Sequence, residues 1–383
     1  MTRKYLNLHD FNDLARRRLP RAIYRYIEGG SEEGASLRSN REAFDRLRFM
    51  PRTLVDVSAR STAVTTLGTD WAAPIGIAPM GGLGLAAFQA DLALATAAGK
   101  ARIPYVLSTS SLVAMERVLR ANPAAWFQAY LSTERLENER FLTRIGQAGF
   151  ETLMITVDVP VAGNREENER NGFISPMTPS LRLAIDGASH PRWLITTLLR
   201  SLLSEGLPHF VNLPGAPVPA FSTGRVRQRP HGRDDLCWDD LKRMRDQWPH
   251  RLLLKGVLAP QDMAAARVAG VDGVIVSNHG GRQLDGALAP LCALPEVVAA
   301  AGAVPVLLDG GVRRGTDVLK AMALGAAHVF VGRPFAYAAV AGGVDGVLRA
   351  IDILRAEISA DMAMLGCVGL NQVGAHLIRP ERA

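Results

Sequence analysis

Val304-Pro-Val-Leu-Leu-Asp-Gly-Gly-Val-Arg-Arg-Gly-Thr-Asp-Val-Leu-Lys-Ala-Met-Ala-Leu-Gly-Ala-Ala-His-Val-Phe-Val-Gly-Arg-Pro334 is the stretch that decides the fold. A short apolar run, Val304–Leu308, leads into Asp309-Gly-Gly and then a helical pattern over Thr316–Leu324. A second apolar run, Val329–Val331, ends at Gly332-Arg333-Pro334. Neither run alternates apolar with polar residues. A strand with one wet face alternates, whereas a strand covered on both faces does not. The stretch therefore reads as two buried strands joined by a helix.

Working outward, the same unit recurs in kind. Further buried strands are expected at Pro74–Ala78, Pro104–Leu107, Ala125–Gln128, Leu153–Val157, Leu252–Leu254 and Gly273–Val276, with helical patterns such as Asp91–Lys100 and Pro260–Ala269 between strands. Eight βα units predict an α/β chain closed as a (β/α)₈ TIM barrel; an open doubly wound sheet is the rival. Before the barrel, Asp10–Leu19 has helical periodicity. A second helix opens at Pro20, runs through Ile23 and Tyr26, and stops at Gly29-Gly30. The expected organisation is a single domain over 1–383, with a helical extension over 1–70, the barrel over 74–383, and an insertion over 176–233 between strands four and five.

Active sites in such barrels lie at the C-terminal strand ends. Here those ends carry Pro79-Met80-Gly81, Ser108, Gln128 with Tyr130, Thr156 with Asp158, Lys255, Ser277-Asn278-His279, Asp309-Gly310-Gly311 and Gly332-Arg333. Strand ends meet turns, which favour polar residues and glycine. That does not explain Lys, His, Asp and Arg converging on one rim. Asp309–Asp317 and Gly332-Arg333 follow the last two strands, where barrels commonly bind phosphate. Glycines let backbone amides approach an anion, a helix N-terminus favours negative charge, and Arg313 or Arg314 adds a fork.

In Ser277-Asn-His-Gly-Gly-Arg-Gln-Leu-Asp285, His279 supplies a base near neutral pH and Arg282 a fork for a carboxylate. Asp285 lies in the same loop. Asp158 can orient the imidazole and stabilise its cation; its alternative role is capping. Lys255 in a barrel mouth pairs with an anion or neutralises developing charge. No nucleophile signature and no metal-ligand spacing are present, so neither acyl chemistry nor a metal is expected.

The bulk numbers narrow the classes. The 383 residues are 48% hydrophobic and 21% charged, normal for a globular protein, with three scattered cysteines and no disulfide framework. The first residues lack the apolar core of a signal peptide, and no apolar run is long enough to span a bilayer. A reducing, cytoplasmic setting is expected. The net charge is +7. Arg182, Arg192, Arg200, Arg225, Arg227, Arg229 and Arg233 against Asp186 and Glu205 place +5 of it in the insertion (seven minus two). The insertion also holds Leu194, Ile195, Leu198, Leu199, Leu202 and Leu203 as one helical stripe, with Thr196, Thr197, Arg200 and Ser201 off it. A local basic stretch beside an apolar helix suits an anionic membrane surface, here the inner face of the cell membrane, better than nucleic acid. The alternative is that the stripe packs on the barrel or a partner subunit.

These motifs, with Leu254-Lys-Gly256 and Leu324-Gly-Ala-Ala327, resemble the FMN-dependent 2-hydroxy acid oxidising family over nearly the whole chain. His-Pro-Arg-Trp193 and Trp248-Pro-His250 look closest to its mandelate dehydrogenase branch, with L-lactate dehydrogenase next. The resemblance implies FMN as cofactor, an L-2-hydroxy acid as substrate and a homo-oligomer, a tetramer in the family. By resemblance His279 is the base, Asp158 supports it, and Tyr130 bonds the reacting oxygen. Arg165, Arg282 and Tyr26 hold the carboxylate. Pro79, Met80, Gly81, Ser108, Gln128, Thr156, Lys255 and Ser277 contact the flavin ring or its surroundings. Asp309, Gly310, Gly311, Arg313, Gly332 and Arg333 hold ribityl and phosphate.

The chain departs from the family at Met80, Asn168 and Gly172, where Thr or Val, Asp and Arg are usual. Gly81 matches members that pass electrons to quinone or another carrier, rather than oxidases that make peroxide. Ser110 and Ala162, where glycolate oxidase has bulkier residues, leave room for a larger substrate. The rival classes are another FMN barrel, such as a nucleotide dehydrogenase or isomerase, and a non-catalytic flavin-binding protein.

Overall fold

A computed structural model describes residues 5–173, 177–222 and 233–381. Its centre is a ring of parallel strands: β1 (Ile75–Ile77), β2 (Val106–Ser108), β3 (Trp126–Ala129), β4 (Thr152–Thr156), β5 (Arg251–Val257), β6 (Gly273–Val276), β7 (Val306–Asp309) and β8 (His328–Val331). Neighbours pair in the order β1-β8-β7-β6-β5-β4-β3-β2, and a parallel bridge from Ile77 to Tyr105 joins β1 to β2 and closes the barrel. All eight expected strands are present; Gly273–Val276 is unchanged and the bounds of the others move by at most three residues. The open doubly wound sheet is excluded by the closing bridge.

The period-two geometry of strands explains how the rim is assembled. Val106, Trp126, Met154, Leu253, Ile275, Leu307 and Phe330 point inward and pack as a dry layer inside the barrel. Alternate residues of a strand share a face. Two residues on, the same inward file reads Ser108, Gln128, Thr156, Lys255, Ser277, Asp309 and Gly332. The interior thus switches from apolar to polar in one step around the barrel. The lower end is plugged by a hairpin, Val64–Thr66 with Thr69–Trp71, whose turn residues Leu67 and Gly68 have φ of 53° and 70°. Its Trp71 packs against Trp126 in the dry layer.

Three helices precede the hairpin: α1 (Leu8–Arg18), α2 (Arg21–Glu28) and α3 (Ala35–Asp45). Asn7 caps α1 in a capping box with Asp10. The C-terminal helical segment Arg333–Leu365 is broken at Gly342-Gly343, where φ reaches 55°. Arg18 Nη1 donates to the carbonyls of Val340 and Ala341 just before the break. That tie fastens α1 to the barrel's last helical segment.

Between β4 and β5 the chain forms short helices, Leu181–Ala188 and a continuous run over 191–205 that contains a π-helical stretch at Leu194–Leu199. The expected apolar stripe splits here. Leu194 and Leu198 pack on the core and Thr197 is buried, while Ile195, Leu199 and Leu203 face outward, Leu203 at 88% exposure. The wider turn of a π-helix rotates residues away from a 3.6-residue stripe. Arg225, Arg227 and Arg229 lie outside the described residues. Among the described residues no helix is long and apolar enough to cross a membrane.

Candidate active site

His279 follows β6 in left-handed backbone, φ 58°, with Gly280 at 65° and Gly281 at 74°. Three successive positive φ values turn the chain sharply, and a histidine there carries strain of the kind that clusters at functional sites. The turn aims the imidazole across the rim. Its Nδ1 lies 3.0 Å from Asp158 Oδ1, and its Nε2 lies 3.1 Å from the Tyr130 hydroxyl. An ionised Asp158 only accepts, so Nδ1 carries the proton and Nε2 presents a lone pair. Burial pushes the His279 pKa down more than the Asp158 charge pulls it up, so the ring is neutral at pH 7. Burial alone would raise Asp158, but the charges of His279 and Lys255 and two hydrogen bonds hold its carboxyl below the ordinary range. The second oxygen, Oδ2, is buried without a hydrogen-bond partner. Burial and the Asp158 charge raise the Tyr130 hydroxyl, so it remains a donor.

Behind this line sits a buried polar hub. Ser277 Oγ donates to Asp309 Oδ1 at 2.5 Å, and receives Lys255 Nζ at 2.9 Å and the His279 amide at 3.0 Å. Lys255 also pairs with Asp309 Oδ2 at 3.2 Å. Burial lowers the Lys255 pKa, but Asp309 and Asp158 outweigh it and the ammonium is held above its usual value. Lys255 is not at the strand end, as expected from sequence; β5 runs on to Val257 past a bulge between Lys255 and Val257. Gly256 makes the bulge possible. Its φ is 108°, and a Cβ there would sit 2.6 Å from Asp158 Cβ. Along the same inward file, Ser108 Oγ donates to Gln128 Oε1 and Gln128 Nε2 to Thr156 Oγ1, each at 3.0 Å.

The arginines divide their work. Arg282 Nη1 donates to the carbonyls of Tyr26 and Gly29, and Arg333 donates to Ile27, Gly29 and Gly280. Both therefore hold the C-terminal carbonyls of α2, where cations suit the helix dipole. Arg165 donates to the Arg282 carbonyl and to Gln283 Oε1. Among the described residues none of Arg165, Arg282, Arg313 and Arg333 has a carboxylate within ion-pair distance. Burial, then the charges of Arg165 and Arg333, bring Arg282 down to about 9; burial brings Arg313 to about 10. The guanidinium groups stay charged at neutral pH, so the rim holds half-buried positive charge that an anion would relieve.

Asp317, given no role from sequence, accepts the amides of Arg313 and Arg314 at 2.8 and 3.0 Å, so the helix Gly315–Ala323 caps its own N-terminus. Of the two arginines left open by sequence, Arg313 is half-buried at the rim and Arg314 pairs with Glu357 outside. Asp285 leaves the site altogether, accepting the Ala35 and Ser36 amides at the start of α3.

Tyr26 donates to the Gly81 carbonyl at 3.0 Å, stacks on Phe173 at 4.0 Å, and lies under Arg282. Phe173 carried no signal in sequence. Gly172, one of the departures, has φ 78° and ends the turn after Glu166–Arg170, a conformation an arginine would adopt only with strain. Met80 lies by Gly332, whose added Cβ would be 3.6 Å from Met80 Sδ. Ala162 is exposed.

A base held by a carboxylate, beside arginines without carboxylate partners and two glycine loops on a barrel rim, defines a phosphate-binding barrel with an acid–base site. Residues 15–380 match the family described as FMN-dependent dehydrogenase. The chain belongs to that family, and FMN is its cofactor. It is 37% identical to (S)-mandelate dehydrogenase of Pseudomonas putida over 382 residues, covering 100% of this chain and 95% of that protein. It is 39% identical to L-lactate oxidase of Nostoc sp. over 374 residues, covering 96% of each. The crystal structure of the monotopic membrane protein (S)-mandelate dehydrogenase superposes with a TM-score of 0.90 at 37% identity, covering 99% of this chain and 100% of that one.

The residues present fit FMN. Gly310 and Gly311, at φ 104° and 81°, hold a loop packed so closely on α3 that a Cβ on Gly311 would lie 2.2 Å from the Asn40 carbonyl, and Arg313 and Arg333 add charge without a carboxylate within ion-pair distance. The Ser108–Gln128–Thr156 file supplies donors and acceptors for a polar ring edge.

Proposed function

We propose that this protein oxidises an L-2-hydroxy acid of the mandelate or lactate class to the 2-oxo acid. The reading rests on the Asp158–His279–Tyr130 line beside Arg165 and Arg282, a base next to unneutralised carboxylate forks. Bound FMN supplies the acceptor of the two electrons.

His279 Nε2 takes the substrate proton, and Asp158 stabilises the imidazolium that results. Tyr130 donates to the reacting oxygen. Arg282 and Arg165, helped by Tyr26, fix the carboxylate; a fork binds it through two parallel bonds. Lys255, supported by Ser277, offsets negative charge near the ring, which Pro79, Met80, Gly81, Ser108, Gln128 and Thr156 contact. Asp309, Gly310, Gly311, Arg313, Gly332 and Arg333 hold ribityl and phosphate. Anaerobic addition of L-mandelate or L-lactate should bleach the flavin; a purified holoenzyme that no L-2-hydroxy acid bleaches sinks this reading.

The electrons pass to a quinone or another carrier rather than to oxygen. Gly81 supports this: a Cβ there would sit 2.7 Å from Ser110 Cβ, so the loop is packed around a bare backbone. Fast peroxide formation in air would count against it. The outward Ile195, Leu199 and Leu203 support peripheral contact with a membrane surface at the cell's inner face. We infer a single functional domain, with the insertion as its membrane-facing part.

A further inference from the structure

We propose that the cavity between the insertion and the barrel loops after β1 and β2 binds the electron acceptor, and that this acceptor is a quinone. The proposal rests on the reading above that electrons leave to a carrier. The cavity measures about 370 Å³, the size of a small-molecule site.

Its two walls link the rim to the apolar surface. Gly84 and Leu112 form part of the barrel wall. Gly84 is packed closely on Leu112, a Cβ there lying 2.9 Å from Leu112 Cδ1, just as Gly81 is packed on Ser110. The two close approaches belong to the same pair of loops, and the chain from Gly81 to Gly84 spans at most roughly 11 Å. A ring in the cavity is thus within short electron-transfer range of the rim. The opposite wall is the insertion, through Ser201 and Glu205. Leu199 and Leu203 lie on the other side of that helical run and are exposed. Leu207 lines the cavity and is 64% exposed, so the cavity opens to the surface past an apolar side chain.

Within these walls stands one organised polar cluster. Arg117 Nη1 and Gln89 Nε2 donate to the same oxygen, Glu205 Oε1, at 2.7 and 2.5 Å. A quinone has a flat ring, two carbonyl acceptors and an apolar tail. Arg117 offers donors to a carbonyl, and Glu205 accepts from the hydroxyl formed on reduction. The tail leaves past Leu207 toward the lipid. The net reaction balances: the hydroxy acid loses two electrons and two protons to become the oxo acid, and the quinone gains two of each to become the hydroquinone.

Ala114→Trp and Ser201→Trp fill the cavity from opposite walls, and Ser201 is on an outer helix where folding is tolerant. Each holoenzyme is reduced with substrate, then mixed anaerobically with a decyl-tailed benzoquinone. Reoxidation should slow at least ten-fold in both variants, while bleaching by substrate and reoxidation by ferricyanide stay within two-fold. Calorimetric binding of the benzoquinone to oxidised holoenzyme should be lost in both. Wild-type reoxidation rates and binding in the two variants would overturn the cavity assignment. If the wild type is bleached but neither binds the benzoquinone nor is reoxidised by it, the quinone and this site fall together while the substrate reading stands. If no substrate bleaches the wild type, the substrate reading fails and calorimetry alone decides the cavity.

Discussion

Asp158 Oδ1 holds His279 Nδ1 at 3.0 Å, while the other oxygen of the same carboxylate is buried without a partner. One oxygen thus fixes the tautomer of the base, and the other leaves buried charge without a hydrogen bond. The direction of the pH dependence follows from this pair.

His279 must be neutral to accept a proton, and its pKa lies below 6.5 because burial outweighs Asp158. Flavin reduction should therefore rise with pH along an acid limb whose midpoint is under 6.5. Asp158→Asn removes the influence that raises the pKa, so the limb should move further down and the plateau rate fall by roughly 100-fold or more. Stopped-flow bleaching across pH 4–8 checks both; a limb that moves upward contradicts the assignment. His279→Asn, which tolerates positive φ, should keep FMN bound and abolish bleaching.

Lys255, Ser277 and Asp309 form a closed buried unit, so their substitutions should not cost alike. Ser277→Ala leaves the direct ion pair and should cost about 1–3 kcal/mol. Lys255→Met strands the Asp309 carboxylate, and the cost should be about 3–5 kcal/mol. Urea unfolding of the apoprotein gives the two values; equal losses would mean the pair is not the stabilising element.

The four rim arginines have no carboxylate within ion-pair distance, and Glu28 offsets Arg313 and Arg333 only in part, so a bound anion adds stability. Removing FMN should lower the Tm, and inorganic phosphate should restore part of it by mass action. Arg313→Ala should weaken FMN binding without disturbing α2. Arg333→Ala should do both, because Arg333 also holds the Ile27 and Gly29 carbonyls. FMN titration, with hydrogen exchange at Ile27–Gly30, separates the two effects.

The barrel was legible because strands covered on both faces are written as unbroken apolar runs, as at Gly273–Val276. The rim was legible because each inward file turns polar at one level, so Gln128 and Thr156 announce themselves at the ends of apolar runs. What could not be read depends on contacts between distant segments. Phe173 under Tyr26 and the Asp285 cap on α3 are set by the docking of the N-terminal helices onto the rim. Asp317 illustrates a local omission: a carboxylate at the third position of a helix is a capping signal, and it was assigned no role. The split stripe is another, since periodicity assumes 3.6 residues per turn and the π-helical stretch breaks that assumption.

His328, fully buried beside Thr66 at the closed end of the barrel, makes stability depend on pH independently of the active site. Burial lowers its pKa to about 4, and its Nε2 has no partner. The unfolded chain binds a proton there from about pH 6.5 downward, whereas the folded chain resists until about 4. The stability that the neutral ring allows is complete above pH 6.5 and is lost as pH falls toward 4, by on the order of 3 kcal/mol. His279, also depressed, loses stability in the same direction and must be held constant. His328→Gln in the His279→Asn background should therefore flatten the urea-unfolding free energy between pH 6.5 and 4 relative to His279→Asn alone. An unchanged slope would mean that the ring accepts its proton in the folded barrel without opening the hairpin plug.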